Sequence, residues 1–196
     1  MGESEQQNLE FAFKICIFGD AAVGKTSLVD HYLTNEFHEN IQATLGASIH
    51  IKFMNVKNTK ITLQIWDFGG HKNFMFLIPA YARGSSGAVF MFDLTNLKSL
   101  KNLKTWLVEF KKISGILPII LVGNKLDLEQ KRICTKEQAL DLMVSYHLFN
   151  YIECSAKTGE NIQSVFKSLI SEILSKTPSW AHKNNLNTVK YKNNFS

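Results

Sequence analysis

The sequence predicts an α/β fold: a six-stranded, mostly parallel sheet flanked by about five helices. Apolar runs of strand length alternate with helical patterns along the whole chain, as strand–helix–strand units require. Two runs, residues 87–92 (GAVFMF) and 118–122 (PIILV), are continuously apolar and end at polar residues, the pattern of strands buried on both faces. One neighbouring pair instead alternates with period two across a short polar link, so a single hairpin is expected to turn one face to solvent.

Taken in order, residues 11–18 (FAFKICIF) form the first strand, and residues 25–33 form a helix that starts directly after a glycine-containing turn. Residues 48–54 (SIHIKFM) and 60–66 (KITLQIW) are the alternating pair. After the strand at 87–92, residues 100–113 carry Leu103, Trp106, Leu107 and Phe110 at helical spacing. After 118–122, residues 136–146 carry Ala139, Leu140, Met143 and Val144 in the same way, and 149–153 (FNYIE) is a weaker sixth strand. Ile162, Val165, Phe166, Leu169, Ile170, Ile173 and Leu174 mark a last amphipathic helix, whose stripe is core packing. Pro178 ends that periodicity. The expected organisation is a flexible acidic N-terminus (1–10), one folded domain (11–175) and a flexible basic tail (176–196), without internal repeats.

A chain of 196 residues, 45% hydrophobic and 20% charged, buries a sizeable core, which excludes global disorder. Its net charge of +5 raises nucleic acid or an acidic membrane as partners, so the distribution matters. Glu3, Glu5 and Glu10 make the N-terminus acidic, and Lys176, Lys183, Lys190 and Lys192 give the tail +4. The remaining +4 is spread over residues 11–175, where no basic stripe stands out. Cys16, Cys134 and Cys154 are too few and too dispersed for a disulfide framework or a zinc site, and are expected as buried or half-buried thiols in a reducing compartment. The opening MGESEQQNLE lacks the apolar stretch of a signal peptide, and Gln6 stands where a myristoylation site wants Ser or Thr. No run approaches the ~18 apolar residues of a membrane span, so a cytoplasmic protein is expected.

The first strand runs into Gly19-Asp20-Ala21-Ala22-Val23-Gly24-Lys25-Thr26, which fits G-x-x-x-x-G-K-[ST] with the required strand before and helix after. Gly19 and Gly24 allow a loop whose backbone N–H groups, from Ala22 through Ser27, converge on phosphate oxygens at a helix N-terminus. Lys25 supplies a point charge to the outer phosphates, and the Thr26 hydroxyl is a ligand for Mg²⁺. A plain strand–helix turn does not explain the Lys-Thr pair.

The third strand ends in Trp66-Asp67-Phe68-Gly69-Gly70. Asp67, at the carboxyl end of a parallel strand, is placed to hold the magnesium, and Gly70 lets a backbone N–H approach the terminal phosphate. The fifth strand closes in Asn124-Lys125-Leu126-Asp127. There the Asp127 carboxylate accepts two hydrogen bonds from guanine, a donor pair that adenine lacks, and the wrong base would leave a carboxylate unpaired. The Lys125 stem lies over the base and Asn124 ties this loop to the phosphate loop. Ser155-Ala156-Lys157 follows the sixth strand, where a backbone N–H reaches the guanine oxygen.

Together these elements, in this order and spacing, resemble a small GTPase of the Ras superfamily over about residues 11–174. Within it the chain looks most like the Rab branch, on TLQIWD (62–67), YARGS (81–85) and VFMFDLT (89–95). The resemblance implies a Ras-like G domain of the P-loop NTPase class. It implies GTP and GDP as ligands with Mg²⁺, and effector, exchange-factor and GTPase-activating proteins at the switch regions, on a chain expected as a monomer. Its spacing assigns Phe37 to the guanine edge, and Thr44 to Mg²⁺ through its hydroxyl and to the γ-phosphate through its backbone. Lys25, Thr44, Gly70 and His71 are then the catalytic set.

Three departures from the family stand out. His71 occupies the place of the usual glutamine that orients the attacking water. Either the imidazole positions that water, or hydrolysis is slow, or His71 is a solvent-exposed switch residue until a partner docks. Ala21 and Ala22 replace glycines of Ras and narrow the room for an arginine finger. No arginine is obvious in cis, so slow turnover with external activation is expected. Rab proteins usually end in prenylated cysteines, yet no cysteine follows Cys154, so prenylation is not expected and membrane contact is at most weak attraction through the tail.

Residues 72–78 (KNFMFLI) are strongly apolar for a switch, either as packing of a second helix or as an effector-facing patch with Trp66, Ile49 and Ile51. The reading is a GTP-hydrolysing switch with a Rab-like role in membrane traffic or signalling. The alternatives are a GTP-dependent scaffold that does not hydrolyse and, more distantly, a small-substrate kinase. Nucleic acid is not expected as a partner.

Overall fold

The computed structural model describes residues 9–39, 41–56 and 58–179. Strands β1 (Leu9–Phe18), β2 (Ala47–Val56), β3 (Thr59–Phe68), β4 (Gly87–Asp93), β5 (Ile119–Asn124) and β6 (Asn150–Glu153) form one sheet in the order β2-β3-β1-β4-β5-β6. All neighbours are parallel except β2 and β3, the hairpin expected from the period-two pattern. Helices α1 (Lys25–Thr34), α2 (Ile78–Ala82), α3 (Leu97–Ser114), α4 (Lys136–Ser145) and α5 (Ile162–Ser175) cover the two faces, with 3₁₀ turns at Lys72–Leu77 and Leu126–Lys131.

The strand pattern sets two cores. Phe13, Ile15, Ile17, Leu63 and Ile65 point to the face covered by α1 and α5, where Tyr32 stacks on Phe166 at 3.7 Å. Cys16, Phe18, Phe90 and Phe92 point to the other, against Leu103, Trp106 and Phe110 of α3. Each large apolar side chain so buried contributes about 1.5–3 kcal/mol. Local chemistry starts the helices: Asn96 accepts from the N–H groups of Lys98 and Ser99, and Thr135 with Gln138 closes a capping box on α4. The chain leaves β1 for β3 on one side and β4 on the other, so the carboxyl ends of these strands open the crevice where doubly wound sheets hold ligands.

Several expected boundaries and faces shift. Strand β1 starts at Leu9 rather than residue 11, because Leu9 pairs with Thr59 and Glu10 meets Lys60 at 3.1 Å. The rest of the expected N-terminus, 1–8, and of the tail, 180–196, lies outside the described residues, while Lys176 of the tail caps α5 and pairs with Glu172. On α4 the inward stripe is Ala139, Leu142, Met143 and Tyr146, with Val144 exposed. Residues 72–77 are a 3₁₀ turn before a short α2 that begins at Ile78, and the segment is split between core and solvent: Ile78 is buried and Phe76 is exposed. The domain charge is not evenly spread, since α3 holds five lysines and one glutamate. All three cysteines are buried free thiols. No described helix is long and apolar enough to cross a membrane.

Candidate functional site

The phosphate loop turns tightly between β1 and α1. Gly19 has φ +143°, and a Cβ there would lie 2.1 Å from the Met91 carbonyl oxygen; Gly24 has φ +93°, and a Cβ would meet Asn124 Nδ2 at 2.4 Å. Ala22 takes φ 62°, a left-handed geometry that costs an alanine about 1–2 kcal/mol. The Lys25 ammonium is buried and donates to the Asp20 carbonyl at 2.7 Å. Burial lowers it to about 8, against the pull of Asp67 and Asp20. The Asp20 carboxylate is itself held by Asn102 Nδ2 at 2.6 Å and Trp106 Nε1 at 3.0 Å, so α3 fixes the loop.

The three expected metal ligands come together. Thr26 Oγ1 donates to Asp67 Oδ2 at 2.6 Å, and Thr44 Oγ1 lies 2.8 Å from Thr26 Oγ1 and 3.2 Å from the same carboxylate oxygen. The other oxygen, Asp67 Oδ1, is buried without a hydrogen-bond partner among the described residues. Burial raises the Asp67 pKa, opposed by Thr26, Lys25 and Thr44. Hard oxygen donors around one carboxylate with an unmatched buried oxygen fit Mg²⁺, which takes few protein ligands and shares substrate phosphates. No cluster of three His, Cys, Asp or Glu side chains exists among the described residues.

A cavity of about 340 Å³ lies between the phosphate loop and two flanking segments, and Ala22, Gly24, Lys25, Thr26, Ser27, Phe37, Thr44, Gly70 and His71 line it. Gly70 rides on the loop: a Cβ would stand 2.3 Å from the Ala21 nitrogen. The Gly69 N–H donates to the Gly46 carbonyl at 2.8 Å, clipping the two flanking segments together. His71 is exposed, with its ring edge-on to Phe74.

The remaining expected residues gather at the ends of β5 and β6, outside this cavity. Asn124 bridges the halves: its Nδ2 donates to the Val23 carbonyl at 2.8 Å and its Oδ1 accepts the Ala156 N–H at 2.9 Å. Ser155 Oγ donates to Asp127 Oδ1 at 2.6 Å, which orients an otherwise exposed carboxylate. The Ser155 N–H goes to the Glu160 carbonyl. The N–H groups of Ser155 and Ala156 are thus engaged inside the protein, and within this turn, where one backbone N–H is expected to reach the guanine oxygen, that of Lys157 is not. Lys125 takes φ +70° and its ammonium meets the buried Asp93 Oδ2 at 2.6 Å.

Three residues of this network were missed by the sequence reading: Asp93, Asp20, and His31, whose Nδ1 lies 2.9 Å from the Ala156 carbonyl oxygen. Asp93 had a usable signal, since it ends the apolar run of β4 as Asp67 ends that of β3.

The Ras family model matches residues 14–175. The chain is 36% identical over 174 residues to the Ras-related protein Rab-13 of Bos taurus, covering 88% of this chain and 85% of that one. It is 36% identical over 176 residues to RABA5c of Arabidopsis thaliana (89% and 82%) and 35% identical over 176 residues to Rab-3A of Homo sapiens (89% and 79%). A six-stranded sheet with one antiparallel edge, loops converging at its strand ends, and this likeness over nearly the whole domain lead to one conclusion: the chain belongs to the Ras family of small GTPases, on its Rab branch.

Proposed function

We propose that the protein is a molecular switch that binds GTP and GDP with Mg²⁺, hydrolyses GTP slowly, and serves membrane traffic or signalling as Rab-like proteins do. The observation that supports this most is the Asn124–Val23 hydrogen bond, which joins the base-reading loop to the phosphate loop in one site. Lys25 carries the charge for the outer phosphates, backbone N–H groups from Ala22 to Ser27 cradle them, and Gly70 offers its N–H to the γ-phosphate. Thr26, Thr44 and Asp67 would hold Mg²⁺, which supplies charge neutralisation to the transferring phosphoryl group. His71, at the cavity edge, orients the water for in-line attack. Phe37 packs on the guanine edge, Lys125 spans its face, and Asp127 with the Ser155-Ala156-Lys157 turn reads it.

Slow turnover fits the arginines. Arg132 is tied to Glu153 and Glu129, and neither it nor Arg83 is among the residues that line the cavity. Effectors and regulators would meet the segments that flank the cavity and the adjoining sheet edge, where Ile49, Ile51 and Phe53 are exposed. The exposed ring of His71, resting on Phe74, favours a second reading: a GTP-dependent scaffold that does not hydrolyse. Single-turnover phosphate release from GTP, with ATP as control, separates the two. Release from GTP alone supports the switch; none after prolonged incubation favours the scaffold, and equal release from ATP removes the guanine assignment.

A further inference from the structure

Helix α3 carries Lys98, Lys101, Lys104, Lys111 and Lys112 against one acid, Glu109. That net +4 equals the whole net charge of residues 11–175, so the rest of the domain is neutral. Leu100, Leu103, Trp106, Leu107 and Phe110 bury the opposite face, and the lysines are exposed. Two are already engaged: Lys112 pairs with Glu109 at 2.7 Å and Lys111 donates to the Tyr146 carbonyl. Lys98, Lys101 and Lys104 have no ion-pair partner among the described residues.

Folding does not ask for this arrangement. The first turn of α3 contains no acid, although the positive end of the helix dipole favours Asp or Glu there and disfavours Lys98. The three lysines follow one another at i,i+3 spacing, where like charges repel. A locally unfavourable choice without a structural gain marks a functional surface.

Position identifies the occupant. The lysines occupy the N-terminal half of α3, beside Asn102 and Trp106, which hold the phosphate-loop Asp20. Helix α2, which continues the 72–77 turn, packs on α3. Helices that cross between parallel strands run antiparallel to them, so this half of α3 lies at the strands' carboxyl ends, whereas α5 releases the basic tail at the opposite end. A bilayer set against the end of the domain where α5 stops would not underlie these lysines. The exposed face also lacks the aromatic platforms of single-strand nucleic-acid binding. We propose that Lys98, Lys101 and Lys104 dock an acidic segment of a protein partner that also engages the adjoining 72–82 segment.

The test uses the full chain, a short fluorescein-labelled polyglutamate peptide, and vesicles of phosphatidylcholine with one third phosphatidylserine. The triple variant K98Q/K101Q/K104Q is expected to weaken peptide binding about tenfold at low salt, while K183Q/K190Q/K192Q leaves it unchanged. K98E alone should raise Tm by about 1–3 °C, because it replaces a charge that the helix end disfavours. The peptide dependence is expected with or without added GDP, so the result stands apart from the guanine reading. Undiminished peptide binding by the triple variant, a lower Tm for K98E, or vesicle binding that alone requires these lysines would each overturn the proposal.

Discussion

The Thr26 hydroxyl donates to Asp67 Oδ2 at 2.6 Å across 41 positions of sequence, and Thr44 closes the triangle on the same oxygen. If this triangle is a magnesium site, metal and nucleotide are held together. GDP release from the wild type should then accelerate strongly when EDTA is added. Thr26→Ala and Asp67→Ala should release GDP on the order of 10²-fold faster with Mg²⁺ present and gain little from EDTA. Stopped-flow with a fluorescent GDP reads both, and a wild type indifferent to EDTA would remove the metal assignment.

The buried Asp93 holds Lys125 at 2.6 Å, in a left-handed backbone that lysine adopts only under constraint. Its other oxygen accepts from the Thr95 N–H and hydroxyl, so the carboxylate is fixed on both sides. Asp93→Asn can keep that second contact on its Oδ1 but sets an amide NH₂ opposite the Lys125 ammonium, so both the charge and the acceptor that hold Lys125 are lost. It is expected to speed GDP release about tenfold, a loss of about 1.4 kcal/mol, and to have no effect in a Lys125→Ala background. An equal effect in both backgrounds would mean that Asp93 acts on the fold rather than through Lys125.

What could be read without the structure was local. The phosphate loop, the Asp67 turn and the Asn124–Asp127 string are short patterns whose spacing is itself the chemistry. The Trp106–Asp20 and His31–Ala156 contacts span 86 and 125 positions, and no periodicity announces them. On α4 two apolar stripes fit a helical period; only the neighbouring elements decide that Leu142 goes in and Val144 stays out. The charge of α3 is local too, five lysines against one acid within residues 98–112, and only a sum taken over the whole domain conceals it. Residues 72–77 run apolar without helical phase, since the turn splits them between core and solvent.

The guanine loops rest on a second ionic link. Arg132 forks onto Glu153 at the end of β6 and also meets Glu129 beyond Asp127. The hydrogen bond from Arg132, helped by the Tyr151 hydroxyl, holds the Glu153 carboxyl below the usual glutamate range. A depressed carboxyl binds fewer protons folded than unfolded, so its contribution is present above the unfolded value and disappears as pH falls through the folded one. Glu153→Gln should therefore cost about 1 kcal/mol near neutrality, a Tm drop of about 2–4 °C. The gap to wild type should close in acid. Melting curves across that range check it, and a constant gap would show that the charge is not what matters.

Gly70 and His71 decide whether the site turns over. A Cβ on Gly70 would stand 2.3 Å from the Ala21 nitrogen and 2.5 Å from the Asp20 carbonyl oxygen, both backbone atoms that the tight loop cannot move. Gly70→Ala is therefore expected to keep the segment off the loop and to cut single-turnover GTP hydrolysis on the order of 10²-fold. GDP, which lacks the γ-phosphate, should bind within a factor of about three of wild type. His71 is tested against that background. If its imidazole orients the water, His71→Ala lowers hydrolysis about 10–10²-fold and His71→Gln keeps it within a few-fold. A large acceleration by glutamine would assign the slow turnover to the histidine itself, and an unchanged rate in His71→Ala would take the residue out of the reaction.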